Sequence, residues 1–292
     1  MKAFLNCLAA AAVTVVAFSP ITRAAAILSP GSTVNLSSSL GSTAFNFNPV
    51  GLGYDSTANE LLFAQQQNNT LYRTNLTGAI LGSRTIGSVP TASFGPTAAQ
   101  YTVSVAADAT NYYFSDYNSN HLGYDLYAIG KTSGAATNIS SELAAYGGYP
   151  IDVRDGRIYR TNPSTTYDYY MLDQIRVSTV AAPDVIQQTI NLPVPGGIAD
   201  FTIDTANNCI WASGYTASTS IYRYDLTTGA LLDTFPLALD GLTSGLTVAN
   251  NKLYFYDWAD NASTLTTYTI VVPEPTSLVI CTIAATSLLR RR

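Results

Sequence analysis

The sequence predicts an all-β fold built from a repeated unit, and three observations carry that prediction. Val, Ile, Tyr, Phe and Thr fill short alternating runs, as in Tyr101-Thr102-Val103-Ser104-Val105 and Lys252-Leu253-Tyr254-Phe255-Tyr256. After residue 26 no long stretch has the 3.6-residue periodicity of an amphipathic helix. Finally, two segments copy each other: Tyr54–Phe63 followed by Leu71–Leu81, and Ile203–Trp211 followed by Ile221–Leu231.

Two markers set the period of the repeat. A turn Asp or Asn recurs at Asp55, Asp108, Asp155, Asp204 and Asn250, at spacings of 53, 47, 49 and 46 residues. An outer-strand marker recurs at Tyr72, Tyr127, Ile175, Tyr222 and Leu265, at spacings of 55, 48, 47 and 43. Within a unit, Asp155-Gly156, Asn207-Asn208 and Asn250-Asn251 predict hairpin turns, because these residues tolerate positive φ. Thr77-Gly78 and Thr228-Gly229 turn the chain from a third strand into a fourth. A period of roughly 40–50 residues holding four short strands is the signature of a β-propeller.

Five units fit residues 50–271. The last contains three strands, Gly245–Ala249, Lys252–Trp258 and Leu265–Val271, while Ser32–Ser38 is a spare strand near the start. That N-terminal strand is expected to complete the last blade and close the ring, which removes exposed sheet edges. Six blades is the alternative, with residues 27–49 and the connection Val89–Gln100 forming a weak unit. A β-sandwich explains the period less well. The tandem units, with Tyr222-Arg223-Tyr224-Asp225-Leu226-Thr227-Thr228-Gly229 as the most recognisable element, resemble the propellers of bacterial surface proteins.

Both ends read as addresses, each expected to be helical. Met1-Lys2, an apolar run to about Phe18, the break Ser19-Pro20 and the small residues Ala24, Ala25 and Ala26 make a secretory signal peptide over 1–26, with cleavage after Ala24 or Ala26. At the other end Val272-Pro273-Glu274-Pro275 leads into Thr276–Leu289, fourteen residues without a charge, and then Arg290-Arg291-Arg292. On Pro273, Glu274, Pro275, Arg290, Arg291 and Arg292, residues 272–292 resemble the PEP-CTERM sorting signal of Gram-negative bacteria. The resemblance implies processing by the membrane protease exosortase and delivery to the cell surface or extracellular matrix. Residues 276–289, about 21 Å as a helix against a hydrocarbon core of about 30 Å, suit a transient membrane anchor with the arginines on the cytoplasmic side.

Charge excludes several partners. Charged residues are 11% of the chain, against roughly 25% in an ordinary soluble protein. Residues 25–273 carry 9 basic against 18 acidic residues, so the body is no nucleic-acid binder, which needs Lys/Arg clusters. Cys7 and Cys281 lie in the two ends, which leaves Cys209, in an apolar strand, as a buried inert thiol.

Candidate chemistry is sparse. The single histidine, His121, stands without a nucleophile elbow, and zinc would need three or four N/S ligands. No phosphate-binding glycine loop is present. The recurrent Asp55, Asp108, Asp155 and Asp204 are expected to cap turns. Their functional alternative is a set of Ca²⁺ ligands, with Asp152–Asp155 and Asp257–Asp260 as weaker cation candidates. Tyr167, Tyr169 and Tyr170 form the best patch for binding a ligand or partner. These readings predict an exported, non-enzymatic binding or structural propeller without a catalytic residue or cofactor, its partners an exopolysaccharide or surface proteins. Two alternatives are a Ca²⁺-dependent propeller hydrolase or lactonase and a polysaccharide-binding lectin-like module.

The sorting expectation is directly testable. Deleting residues 272–292 should leave the protein exported but no longer retained at its final location, as read by cell fractionation. An unchanged distribution refutes it.

Overall fold

The computed structural model describes residues 25–36, 49–65, 70–85, 100–118, 124–132, 134, 136–140, 150–161, 173–214, 220–237, 242–259 and 262–272. By its contacts the chain divides into Ala26–Val271 and a second unit formed by Met1–Ala25 with Val272–Arg292. The expected helical ends lie outside the described residues, among which no helix occurs.

Strand β1 (Ile27–Asn35) opens the body. Four sheets of four strands follow in sequence order. The first holds β2 (Pro49–Asp55), β3 (Glu60–Gln65), β4 (Thr70–Thr74) and β5 (Ile80–Thr85), and the second β6 (Gln100–Ala107), β7 (Asn111–Asn118), β8 (Tyr124–Gly130) and β9 (Ala136–Ser140). The third holds β10 (Ile151–Arg154), β11 (Arg157–Thr161), β12 (Gln174–Thr179) and β13 (Gln188–Asn191), and the fourth β14 (Ile198–Asp204), β15 (Cys209–Gly214), β16 (Ser220–Asp225) and β17 (Leu231–Pro236). The fifth is β18 (Leu242–Ala249), β19 (Lys252–Ala259) and β20 (Ala262–Val271), completed at its outer side by β1. First strands touch in order, β2 to β6 to β10 to β14 to β18, and β18 returns to β2. The protein is a five-bladed β-propeller.

The closing strand begins five residues earlier than the Ser32 start that the sequence suggested. Ile27 pairs with Val271 and Asn35 with Thr264, and a register shift between Pro30 and Thr33 lets the Ser32 N–H reach Thr267 Oγ1 at 2.9 Å. With β1 taken into the fifth blade, five blades form rather than six.

Turn chemistry accounts for the hairpins. Asp55 Oδ1 accepts the N–H groups of Thr57 and Ala58, and Asp108 Oδ1 those of Thr110 and Asn111. Asp204 Oδ1 accepts that of Asn207. Asn59, Asp155, Asn208, Asn250 and Asn251 take positive φ, which short polar side chains tolerate. Between third and fourth strands, Asn75 Oδ1 receives the N–H of Thr77 and Ala79, and Asp225 Oδ1 those of Thr227 and Thr228. Of the Asp residues expected to cap turns, Asp55, Asp108 and Asp204 do so with their side chains, while Asp155 serves its turn through its positive φ.

Apolar residues pack between blades. Ile175, Val177 and Ile190 of blade three meet Phe201, Ile203 and Ile210 of blade four. Leu61 and Phe63 of blade one meet Tyr254, Tyr256 and Leu265 of blade five, with Phe63 and Tyr256 edge to face at 5.6 Å. Tyr113, Tyr224, Tyr254 and Tyr256 are fully buried, so these four tyrosines work as core residues. Near the axis, glycine permits backbone contact. A Cβ on Gly51 (φ +68°) would stand 2.5 Å from Ser104 Cα, one on Gly245 2.9 Å from the Leu52 nitrogen, and one on Gly53 would overlap the Val105 carbonyl.

Gly53→Ala should therefore lower the unfolding free energy by about 1–3 kcal/mol, the cost of forcing atoms into a filled site. Gly134→Ala, where a Cβ meets nothing within 4 Å, should change it by less than about 0.5 kcal/mol. Urea denaturation of both variants checks the contrast.

Candidate functional site at the central axis

The first strand of each blade has a ladder partner on one side only, so its other edge turns N–H groups toward the axis, where they need acceptors. Side chains from the neighbouring blade supply them. Ser104 Oγ accepts the Ile151 N–H at 3.0 Å, which joins β6 to β10. Asp152 Oδ2 accepts the Ile203 N–H at 2.8 Å and the Thr202 hydroxyl at 3.0 Å, joining β10 to β14. Asp200 Oδ2 accepts the Leu246 N–H at 2.6 Å, joining β14 to β18. Asp200 also receives a backbone bond from Leu52 of β2, two blades away around the ring. Thr202 Oγ1 in turn accepts the Val248 N–H at 3.3 Å.

β-Bulges aim these groups. In four of the five inner strands the register shifts near the entering end: between Val50 and Leu52, Thr102 and Ser104, Ile198 and Asp200, and Thr243 and Gly245. The extra residue twists the strand and redirects the next side chain. Ser104 and Asp200 both follow such a bulge directly.

Asp152 and Asp200 contribute the carboxyls of this site, and both residues are buried. Burial drives the Asp200 pKa well above the ordinary carboxylate range; backbone N–H bonds from Leu246, Phe201 and Leu52 pull it back, and the Asp152 charge adds to the rise. Arg154 Nε stands 3.3 Å from the Asp152 carboxylate. Its guanidinium lies 5.9 Å from the Tyr54 ring centroid. Tyr54 belongs to blade one and Arg154 to blade three, so this contact spans the axis near the hairpin ends. Arg154 Nη2 is buried and has no hydrogen-bond partner among the described residues.

These side chains do not form a calcium cage. Asp152 Oδ1 accepts the Val153 N–H at 2.7 Å and Asp200 Oδ1 the Phe201 N–H at 2.9 Å, so all four oxygens already face donors. Among the described residues no three His, Cys, Asp or Glu side chains group closely enough to hold a metal. Asp152 and Asp155 do not act as a pair, since Asp152 bonds across to blade four while Asp155 sits in its turn at φ 50°. The Asp257 side chain and Asp260 lie outside the described residues, as do His121 and the patch Tyr167, Tyr169 and Tyr170. The same holds for Pro273, Glu274, Pro275, Arg290, Arg291, Arg292 and Ala24. Ala25 is exposed and Ala26 buried. Cys209 is a free, buried thiol.

The sequence reading placed Asp152 only in a cation pair with Asp155 and did not single out Asp200. The signal that distinguishes the two was nonetheless present: each sits inside an apolar strand run, Ile151-Asp152-Val153 and Ala199-Asp200-Phe201, where Asp is normally depleted.

No protein-family model and no curated protein sequence matches this chain. Solved structures do match it in fold. A luciferin-regenerating enzyme aligns at TM-score 0.53 and 12% identity, covering 82% of this chain and 95% of its own. The PQQ-bound aldose sugar dehydrogenase of Streptomyces coelicolor aligns at 0.52 and 11%, covering 87% and 100%. A gluconolactonase from Xanthomonas campestris aligns at 0.47 and 11%, covering 75% and 72%. At these identities the likeness is one of fold. It corrects the expectation of a non-enzymatic protein: that expectation rested on missing motifs, and propellers of this shape include enzymes.

Asp200 gives the fold a pH dependence of defined sign. A carboxyl whose native pKa exceeds its unfolded one contributes stability that is complete below the unfolded value and lost as pH rises through the native one. Urea midpoints should accordingly fall as pH rises above the ordinary carboxylate range, and Asp200→Asn, neutral throughout, should flatten that limb. An identical slope in the variant would mean another group is responsible.

Proposed function

We propose that the protein is a propeller hydrolase that opens a lactone or related ester at its central axis, with Asp200 and Asp152 as the acid–base pair. The observation that carries this reading is the pair itself: two buried carboxyls from adjacent inner strands, on one of which burial raises the pKa. Ester hydrolysis needs one group to take a proton from the attacking water and another to give one to the departing alkoxide. Two carboxyls in unequal surroundings divide those roles. Asp200 supplies the proton, and Asp152, beside the Arg154 guanidinium, receives the one from water. The enzymes among the fold neighbours support catalysis on this scaffold.

The two ends supply the address in the same proposal. The N-terminal leader exports the chain, and residues 272–292 anchor it transiently through 276–289 until exosortase cuts. The enzyme then works at the cell surface or in the matrix, where exopolysaccharide or surface proteins are its neighbours.

Turnover of a panel of aldonic lactones and aryl esters by the full exported chain tests the reaction. Asp200→Asn and Asp152→Asn should each lower kcat about 10²–10⁴-fold, with KM nearly unchanged and the circular dichroism of the wild type. Wild-type inactivity toward every lactone and ester, or full turnover by Asp200→Asn, refutes the assignment.

A further inference from the structure

The residue that precedes β1 is held more firmly than its neighbours. Ala26 is 6% exposed, whereas Ile27 beside it is 54% exposed and Ala25 is also exposed. The Ala26 N–H donates to Asp233 Oδ2 at 3.3 Å. Asp233 lies on β17, the outer strand of blade four, while β1 is the outer strand of blade five. This one bond therefore ties the entry of the body to the neighbouring blade. Its acceptor is fixed in place: the same Oδ2 takes Arg223 Nε at 2.7 Å and Nη2 at 2.5 Å. Arg223 is itself buried, with its guanidinium 5.9 Å from the Trp211 ring. An ion pair this buried keeps its geometry, because either partner left alone would be a desolvated charge.

Two cuts in the leader satisfy the small-residue rule at the last and third-last leader positions. Cutting before Ala25 uses Thr22 and Ala24; cutting before Ile27 uses Ala24 and Ala26. A cut before Ala26 would put Arg23 at the third-last place. We propose that the exporting cell's leader peptidase hydrolyses the Ala24–Ala25 bond, so that Ala26 remains as the latch on Asp233. Water adds to the Ala24 carbonyl, the C–N bond breaks, Ala24 leaves as a carboxylate, and Ala25 becomes the α-ammonium of the mature chain. That new cation precedes Ala26, whose N–H meets the Asp233 carboxylate, by one residue of sequence. The cut before Ile27 would discard both the buried methyl and the N–H donor. This inference rests on reading residues 1–24 as an export leader and is independent of the hydrolase assignment.

Expression of the full chain in an exporting Gram-negative host, followed by N-terminal sequencing and intact mass of the exported protein, tests it. The expected start is Ala25-Ala26-Ile27-Leu28. A start at Ile27, or an uncut chain beginning at Met1, overturns the proposal. Ala26→Leu separates the two cuts further, since a bulky last leader residue blocks only the one before Ile27. The variant should still begin at Ala25, and loss of its processing overturns the assignment. Asp233→Asn should keep the same start but melt at a lower temperature than the wild type; an unchanged melting temperature removes the latch. None of these readouts depends on lactone turnover.

Discussion

Everything in this propeller depends on satisfying one edge. Each blade exposes the inner edge of its first strand to the axis, and five such edges face one another where no sixth strand can pair with them. Ser104, Asp152 and Asp200 fill that gap by accepting N–H groups of the next blade. The bonds run tangentially around the ring, so the inner strands are joined by side chains rather than by a ladder. Burying a carboxylate for this purpose is expensive unless donors surround it, and both aspartates are surrounded. The same burial that makes them structural also shifts Asp200 toward the protonated form, so fold and candidate chemistry share the same atoms.

The blade count and turn positions were legible because their physics is local. Asp55, Asp108 and Asp204 bond to backbone groups two or three residues away, and Asn59, Asn208 and Asn250 solve a φ problem within a single turn. Such features repeat wherever the unit repeats, so spacing alone reveals them. The closing strand was legible in kind but not in register: Ile27 finds its place through Val271, and no local rule reports a partner that far along the chain.

The axial site was harder to read for the same reason. Asp152 and Asp200 are 48 residues apart, belong to no motif, and become neighbours only once the ring is formed. Their role follows from bulges and from donors on other blades. No catalytic signature in the sequence therefore marks them. An Asp flanked by apolar residues inside the first strand of a blade is the informative anomaly.

The closure of blade five sets an order of events. Blades one to four are each made from consecutive strands, so each can assemble from its own short stretch of chain. The fifth requires β1, the first strand synthesised, to meet β20, the last, and joining ends so distant costs loop-closure entropy that local hairpins avoid. During synthesis, which delivers the N-terminus first, β1 must wait as an unpaired strand until nearly the whole body exists. The ring is thus a checkpoint for completeness: a chain truncated before residue 262 keeps four whole blades yet leaves its first strand without a partner.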